Sequence, residues 1–201
     1  MIIRRFLQAI KSEIAGLLES FVIFYPETRI GQKLREFYFR VKLRGNLGNN
    51  ACISQNTFIY NGAKLKIGDS FSIGRNSILD PNDSFGIIIG PHVHIASGVF
   101  IRAANHDYSD PSTPFIHQGH LAKKILNEEK EEASIIIEGD VWVGANSIIL
   151  TGTKIGYGSV VAAGSLVSGR FPPYSIIASN PARVIGSRKL MNFSKHYFKF
   201  P

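Results

Sequence analysis

A single cysteine, Cys52, in 201 residues excludes an internal disulfide framework and fits a reducing compartment. Charge is also sparse: only 19% of the chain is charged, while glycine is plentiful at 19 residues, the balance a turn-rich β architecture needs. No run approaches the roughly 20 apolar residues of a membrane span. A secretory signal is not expected either, because Lys11, Glu13 and Glu19 interrupt the first apolar stretch and no small-residue cleavage site follows. Recognition-helix patterns, zinc-finger spacings and aromatic-basic platforms are missing, which disfavours nucleic acid as a partner. The net charge of +8 then points to other anions: phosphates on a cofactor, a nucleotide-sugar, or an anionic membrane surface.

What the chain has is a repeat. From Ile137 an aliphatic residue opens every sixth position, at Val143, Ile149, Ile155, Val161 and Val167, with Val141, Ser147, Thr153, Ser159 and Ser165 between them. Neither a helix, at period 3.6, nor a simple strand, at period 2, produces this spacing. It marks a parallel β-helix, in which short strands separated by turns stack one aliphatic side chain over the next. The same phase runs upstream through Ile53 and Ile59, Ile67, Ile73 and Leu79, and Ile89, Ile95 and Ile101. Slips near Lys64 to Lys66 and from Asp80 to Gly86 predict outward bulges at corners.

Two segments lie outside the repeat. Residues 1–46 read as two amphipathic helices, the first ended by Pro26 and the second from about Thr28 to Leu43. The second carries Ile30, Leu34, Phe37, Tyr38 and Val41 on one side, with Arg29, Lys33, Arg35, Arg40, Lys42 and Arg44 elsewhere. Either both helices pack on the β-helix or a neighbouring subunit, or a basic, aromatic-rich face makes peripheral contact with an anionic membrane. Residues 106–134 form a polar loop without the repeat, and a loop of that length inside a compact repeat is usually functional or disordered. The domain reading is 1–46 helical extension, 47–185 β-helix, and 186–201 a basic, aromatic tail suited to capping the open end.

The order of His106, then Pro114-Phe115-Ile116-His117-Gln118-Gly119, then Ile137-Glu138-Gly139-Asp140-Val141-Trp142-Val143-Gly144-Ala145-Asn146, then Ala163-Gly164-Ser165 and Ser179-Asn180-Pro181-Ala182-Arg183, resembles the hexapeptide-repeat acyltransferases. The likeness is nearest to the maltose, galactoside, nodulation-factor and surface-polysaccharide acetyltransferases. It implies an all-β, left-handed parallel β-helix, an exception to the right-handed crossover rule, with the helical extension and protruding loop attached. It also implies a cytoplasmic homotrimer with active sites between subunits, and Tyr25-Pro26-Glu27-Thr28-Arg29-Ile30-Gly31 resembles the extension of members from polysaccharide-biosynthesis clusters.

The expected activity is O-acetylation of a carbohydrate hydroxyl with acetyl-coenzyme A as co-substrate and no metal. N-acetylation of a nucleotide-linked amino sugar is the alternative. Such chemistry needs a base for the acceptor proton, a role imidazole suits near neutral pH, and the resemblance assigns it to His106. It assigns cofactor contacts to the backbone at Ala145 and Ala163, to Ser168 and to Arg183. Gly169 and Gly186 stand where relatives carry Lys or Arg, so Arg170, Arg188 or Lys189 are further phosphate candidates. Asp80 and Trp142 are candidate substrate contacts, against a plain turn residue and plain packing respectively. No residue is identified as holder of the second His106 nitrogen. Cys52, in the first coil, is not expected to be a nucleophile. Two remote readings remain: a zinc carbonic anhydrase using three of His92, His94, His106, His117 and His120, and a non-catalytic scaffold.

Overall fold

The fold comes from a computed structural model that describes residues 2–190. From residue 52 onward the chain visits three parallel sheets in rotation. The first coil contributes Cys52–Ile53, Phe58–Ile59 and Leu65–Ile67, the second Ser72–Ile73, Ile78–Asp80 and Ile87–Ile89, one strand to each sheet. Later coils repeat the order, and each strand pairs with its equivalents above and below.

The register explains the period of six. In the first sheet Ile53, Ile73, Ile95, Val143, Val161 and Ile177 stand over one another. Ile59, Leu79, Ile101, Ile149 and Val167 do so in the second, and Ile67, Ile89, Ile137, Ile155 and Phe171 in the third. All are buried and belong to one continuous cluster. The intervening serines serve the backbone instead. Ser147 and Ser165 donate to the carbonyls of Gly144 and Ala162 at 2.8 and 2.7 Å, satisfying corners that turn inside the prism. Ile101→Val, which removes one methylene from a fully buried rung, is expected to cost about 0.5–1.5 kcal/mol in denaturant unfolding.

Corners select their residues by backbone conformation. Between the first and second sheets, Asn56, Asn76, Gly98, Asn146 and Gly164 all have φ between 56° and 73°, the left-handed region that Asn and Gly tolerate best. His92 holds the equivalent place, φ 59°, at the corner between third and first sheets, so its position is that of a turn residue. Gly144 answers to crowding instead: a Cβ there would stand 2.5 Å from the Ala163 nitrogen of the next coil. The expected corner bulges are present as a 3-10 turn at Gly62–Lys64 and a loop through residues 81–86.

The ends are closed differently. At the start, α1 (Ile2–Phe24) and α2 (Arg29–Lys42) follow the expected bounds, and the Thr28 hydroxyl caps α2 by accepting the Gly31 N–H at 3.0 Å. The face that α2 buries is not its apolar one. Gly31, Arg35 and Phe39 point inward, while Ile30, Phe37 and Val41 are exposed. Arg35 is drawn in because its guanidinium reaches Ile53 O at 2.8 Å, Tyr25 O at 2.7 Å and Glu27 Oε1 at 3.0 Å. At the far end, Ser175–Ala178 turns through the cis Asn180–Pro181 bond into Arg183–Ser187, which pairs antiparallel and closes the stack. Residues 186 and 187 therefore belong to the closing strand and not to a separate tail; 191–201, expected to cap, lie outside the described residues.

Candidate active site

His106 leaves the prism at the corner between the second and third sheets, just after the strand Phe100–Arg102. The coil phase is kept across the excursion, since Ile135–Ile137 still pairs with Ile87–Ile89. The loop itself is built and not structureless. Asn105–His106 pairs antiparallel with His120–Leu121, Ile125–Leu126 pairs with Glu132–Ala133, and Phe115–Gln118 makes one helical turn. Asp110 organises its tip by accepting from Ser112 and Thr113, and the Lys66–Glu131 ion pair, 2.6 Å, ties the returning arm to the third sheet.

The His106 side chain is exposed and opens on a cavity of about 410 Å³ lined by Tyr108, Leu121, Lys123, Thr151 and Ser168 among others. Two features reach this site that the spacing of the sequence did not reveal. His120 faces His106 across the two-stranded ladder with ring centroids 4.6 Å apart, and its Nδ1 lies 3.6 Å from Asp83 Oδ2. Lys123 is fixed at the rim, its N–H donating to Thr151 Oγ1 at 2.9 Å. Neither carries a motif; His120 comes beside His106 only because a hairpin folds 14 residues back on themselves.

The other candidate residues fall in two groups. Ser168 joins His106 in the cavity. Asp80 lies at the same corner but is buried, one oxygen accepting the Asn82 N–H at 3.0 Å and the other bonded to the Arg102 guanidinium. Ala145 and Ala163 occupy the corner between the first and second sheets, and neither N–H meets an acceptor among the described residues. Trp142 stands outward in the first sheet between His94 and Val160 and is half exposed, and Arg183 is exposed on the closing strand. One chain therefore presents its imidazole on one edge of the prism and its free backbone donors on another.

Of the further cations, Arg170 is exposed on the third sheet, Arg188 is engaged by Gly158 O at 2.6 Å and Asp140 at 3.1 Å, and Lys189 lies over the Tyr174 ring. His94 bonds the Ser72 hydroxyl on the first sheet, away from His106, and among the described residues no three potential metal ligands converge. Cys52 is on the outer surface of the first coil, where desolvation beside α2 and the Glu27 carboxylate push its thiol up, away from the nucleophilic thiolate. A larger groove, about 710 Å³ over Ile88, Ile136, Tyr157 and Tyr174, carries no histidine.

Known proteins resemble this chain in sequence and fold. The profile described as the hexapeptide repeat of succinyl-transferase matches residues 64–103 and 134–168. Galactoside O-acetyltransferase of Escherichia coli K12 is 32% identical, the match covering 76% of this chain and 67% of that protein. WbbJ of the same strain, named as a lipopolysaccharide biosynthesis O-acetyl transferase, is 39% identical over 64% of this chain and 74% of its own length. Several other acetyltransferases are matched over 41 to 61% of their length. Among solved structures, the hexapeptide-repeat acetyltransferase VCA0836 of Vibrio cholerae, complexed with acetyl coenzyme A, superposes with a TM-score of 0.66 at 28% identity, over 90% of this chain and 87% of that one. With its repeat, stacked coils and these relatives, the chain belongs to the hexapeptide-repeat acetyltransferases.

Proposed function

We propose that this chain transfers acetyl from acetyl-coenzyme A to a hydroxyl of a carbohydrate in surface-polysaccharide or related glycan synthesis, as a homotrimer of left-handed β-helices. The observation that carries the reading is the split between edges. His106 and its 410 Å³ cavity occupy one corner of the prism, whereas Ala145 and Ala163 occupy the next and Trp142 stands on the first sheet beside it. A neighbour's edge brought against the His106 loop would supply the missing half. The likeness to a lipopolysaccharide O-acetyl transferase supports the acceptor class.

Acetyl-coenzyme A would supply the acetyl group as a thioester. His106 takes the proton of the acceptor hydroxyl as that oxygen attacks, and returns a proton to the departing sulfur. The unpartnered N–H groups of Ala145 and Ala163 suit a developing oxygen charge and an amide-rich cofactor arm, and the exposed Arg183 suits a phosphate. Trp142 offers an apolar wall for the sugar or the cofactor arm. Asp80, with both oxygens occupied, acts on the acceptor only through Arg102 or by releasing it.

His120 is a positioning residue in this scheme, its ring fixing the orientation of its neighbour. His120→Ala is expected to lower kcat about ten-fold with both KM values nearly unchanged, and His120→Phe, which keeps a ring, to recover part of it. Equal loss in both variants, or a loss confined to KM, would remove that role. Thiol release from acetyl-coenzyme A with a panel of sugars, oligosaccharides, nucleotide-sugars and amino sugars tests the whole reading. Release with hydroxyl acceptors is expected; release with amines alone would make the chain an N-acetyltransferase, and none with any carbohydrate would end the proposal.

A further inference from the structure

Helix α1 is held to the rest of the chain only near its C-terminal end. Val22 and Ile23 are buried and Glu19 pairs with Lys42 of α2, whereas every described side chain from Arg4 to Leu18 is exposed. At 100° per residue, Phe6, Ile10, Ile14, Leu17, Leu18 and Phe21 fall within one arc of about 120°. Val22 and Ile23 fall outside it. The helix thus docks by one side and presents a continuous apolar face elsewhere, with these six residues 40 to 71% exposed. The exposed Ile30, Phe37 and Val41 add a second outward row on α2, opposite the side that buries Arg35 and Phe39. An isolated amphipathic helix with so much uncovered apolar surface calls for a partner.

The charges around it specify which kind. Residues 1–46 hold nine Lys and Arg against four Glu. Glu19, Glu27 and Glu36 are each matched by a cation of the same segment, Lys42, Arg35 and Arg40, which leaves six cations against Glu13 alone. Arg4 and Lys11 border one edge of the apolar arc on the helical wheel. A second copy of this face would bring the same cationic surplus against itself. An anionic bilayer would satisfy both features at once, taking the apolar arc into the acyl boundary and the cations at the headgroups. No helix among the described residues is long and apolar enough to cross a membrane, so contact of this kind lies along the surface.

We infer that the outward faces of α1 and α2 dock this protein on an anionic lipid surface, with α1 lying in the plane of the interface. The inference is independent of which acceptor the enzyme uses. It deepens the site's setting, because the catalytic prism is then carried at the membrane face by its first coil, the end that α2 caps.

Sedimentation of the full chain with sucrose-loaded vesicles tests it, using phosphatidylcholine alone and phosphatidylcholine mixed with phosphatidylglycerol. The unaltered chain is expected to pellet with the mixed vesicles at low salt, with binding weakened on the neutral vesicles and at raised salt. Each basic residue near such a surface is worth about five-fold in partitioning, so Arg4→Glu with Lys11→Glu is expected to lower binding at least about ten-fold. Ile14→Glu with Leu17→Glu is expected to lower it at least as far. Light scattering after gel filtration should find the same oligomeric state in all forms. Failure of the unaltered chain to pellet with anionic vesicles overturns the inference. So does undiminished binding of the Ile14→Glu, Leu17→Glu variant, or a change in its subunit number, which would assign the face to another copy of the chain.

Discussion

His106→Ala is expected to lower kcat by at least about 10²-fold, the usual contribution of a general base, while leaving the fold and the KM for acetyl-coenzyme A almost unaltered. The selectivity follows from position. His106 is exposed at the start of a loop, takes no part in the stacked core, and its ring has no hydrogen bond to another described side chain. Its removal therefore deletes a proton acceptor and little packing. Thiol release and circular dichroism on the same preparation separate the two effects. Turnover within a few-fold of the unaltered enzyme would show that a different group takes the proton, and His120, in ring contact, would be the next to replace.

The second large effect concerns stability. Arg35 is fully buried between α2 and the first coil, and Glu27 is its only anionic partner among the described residues. Glu27 in turn accepts the Gln55 N–H at 2.7 Å and lies 3.7 Å from Arg75 of the second coil, so one ion pair joins the helical extension to two coils. Glu27→Ala strands the fully buried Arg35 without its anion and is expected to cost roughly 3–5 kcal/mol, whereas Arg35→Ala leaves a partly exposed Glu27 that keeps Gln55 and Arg75 and is expected to cost less. Removing both should cost less than the sum of the single changes. Urea unfolding of the four forms measures this; a Glu27→Ala loss below about 1 kcal/mol would mean that water enters the site and solvates the survivor.

The same pair sets a pH dependence. Burial opposes ionisation of Glu27, but the Gln55 amide, Gln32 and the Arg35 and Arg75 guanidinium groups outweigh it and hold the carboxyl below its ordinary value of 4.5. A carboxyl whose folded value lies below its unfolded one contributes stability that is complete above about 4.5 and is lost as pH falls through the folded value. Acid unfolding of the unaltered chain should therefore steepen below that point. Glu27→Gln should be less stable at neutral pH and flatter across the acid range; parallel curves would assign the acid sensitivity to other carboxylates.

The core was legible because a stacked coil repeats one local decision many times. An inward aliphatic at every sixth position has to be inward in each coil, so Ile53 through Val167 could be read from spacing, with the corner bulges marked by the phase slips. The helix bounds were legible for a similar local reason, Pro26 after the first and the helical spacing of apolar residues from Ile30 to Val41 in the second. Arg35 was not, because its burial depends on carbonyls of Tyr25 and Ile53 that only the folded end of the prism turns toward it. Asp80 shows the same limit: the turn was evident from its sequence, its bond to Arg102 of the next coil was not.

By itself, then, the sequence determined the stacked parallel coils, the helical extension and the loop at His106, since all three are set by periodicity and by where periodicity breaks. Tertiary structure alone decided that His120 faces His106, that α2 buries Arg35 and exposes Ile30 and Phe37, and that the imidazole and the Ala145 N–H lie on different edges of one chain. Those outcomes depend on contacts between residues far apart in sequence, whose energies are set by geometry that no local pattern encodes.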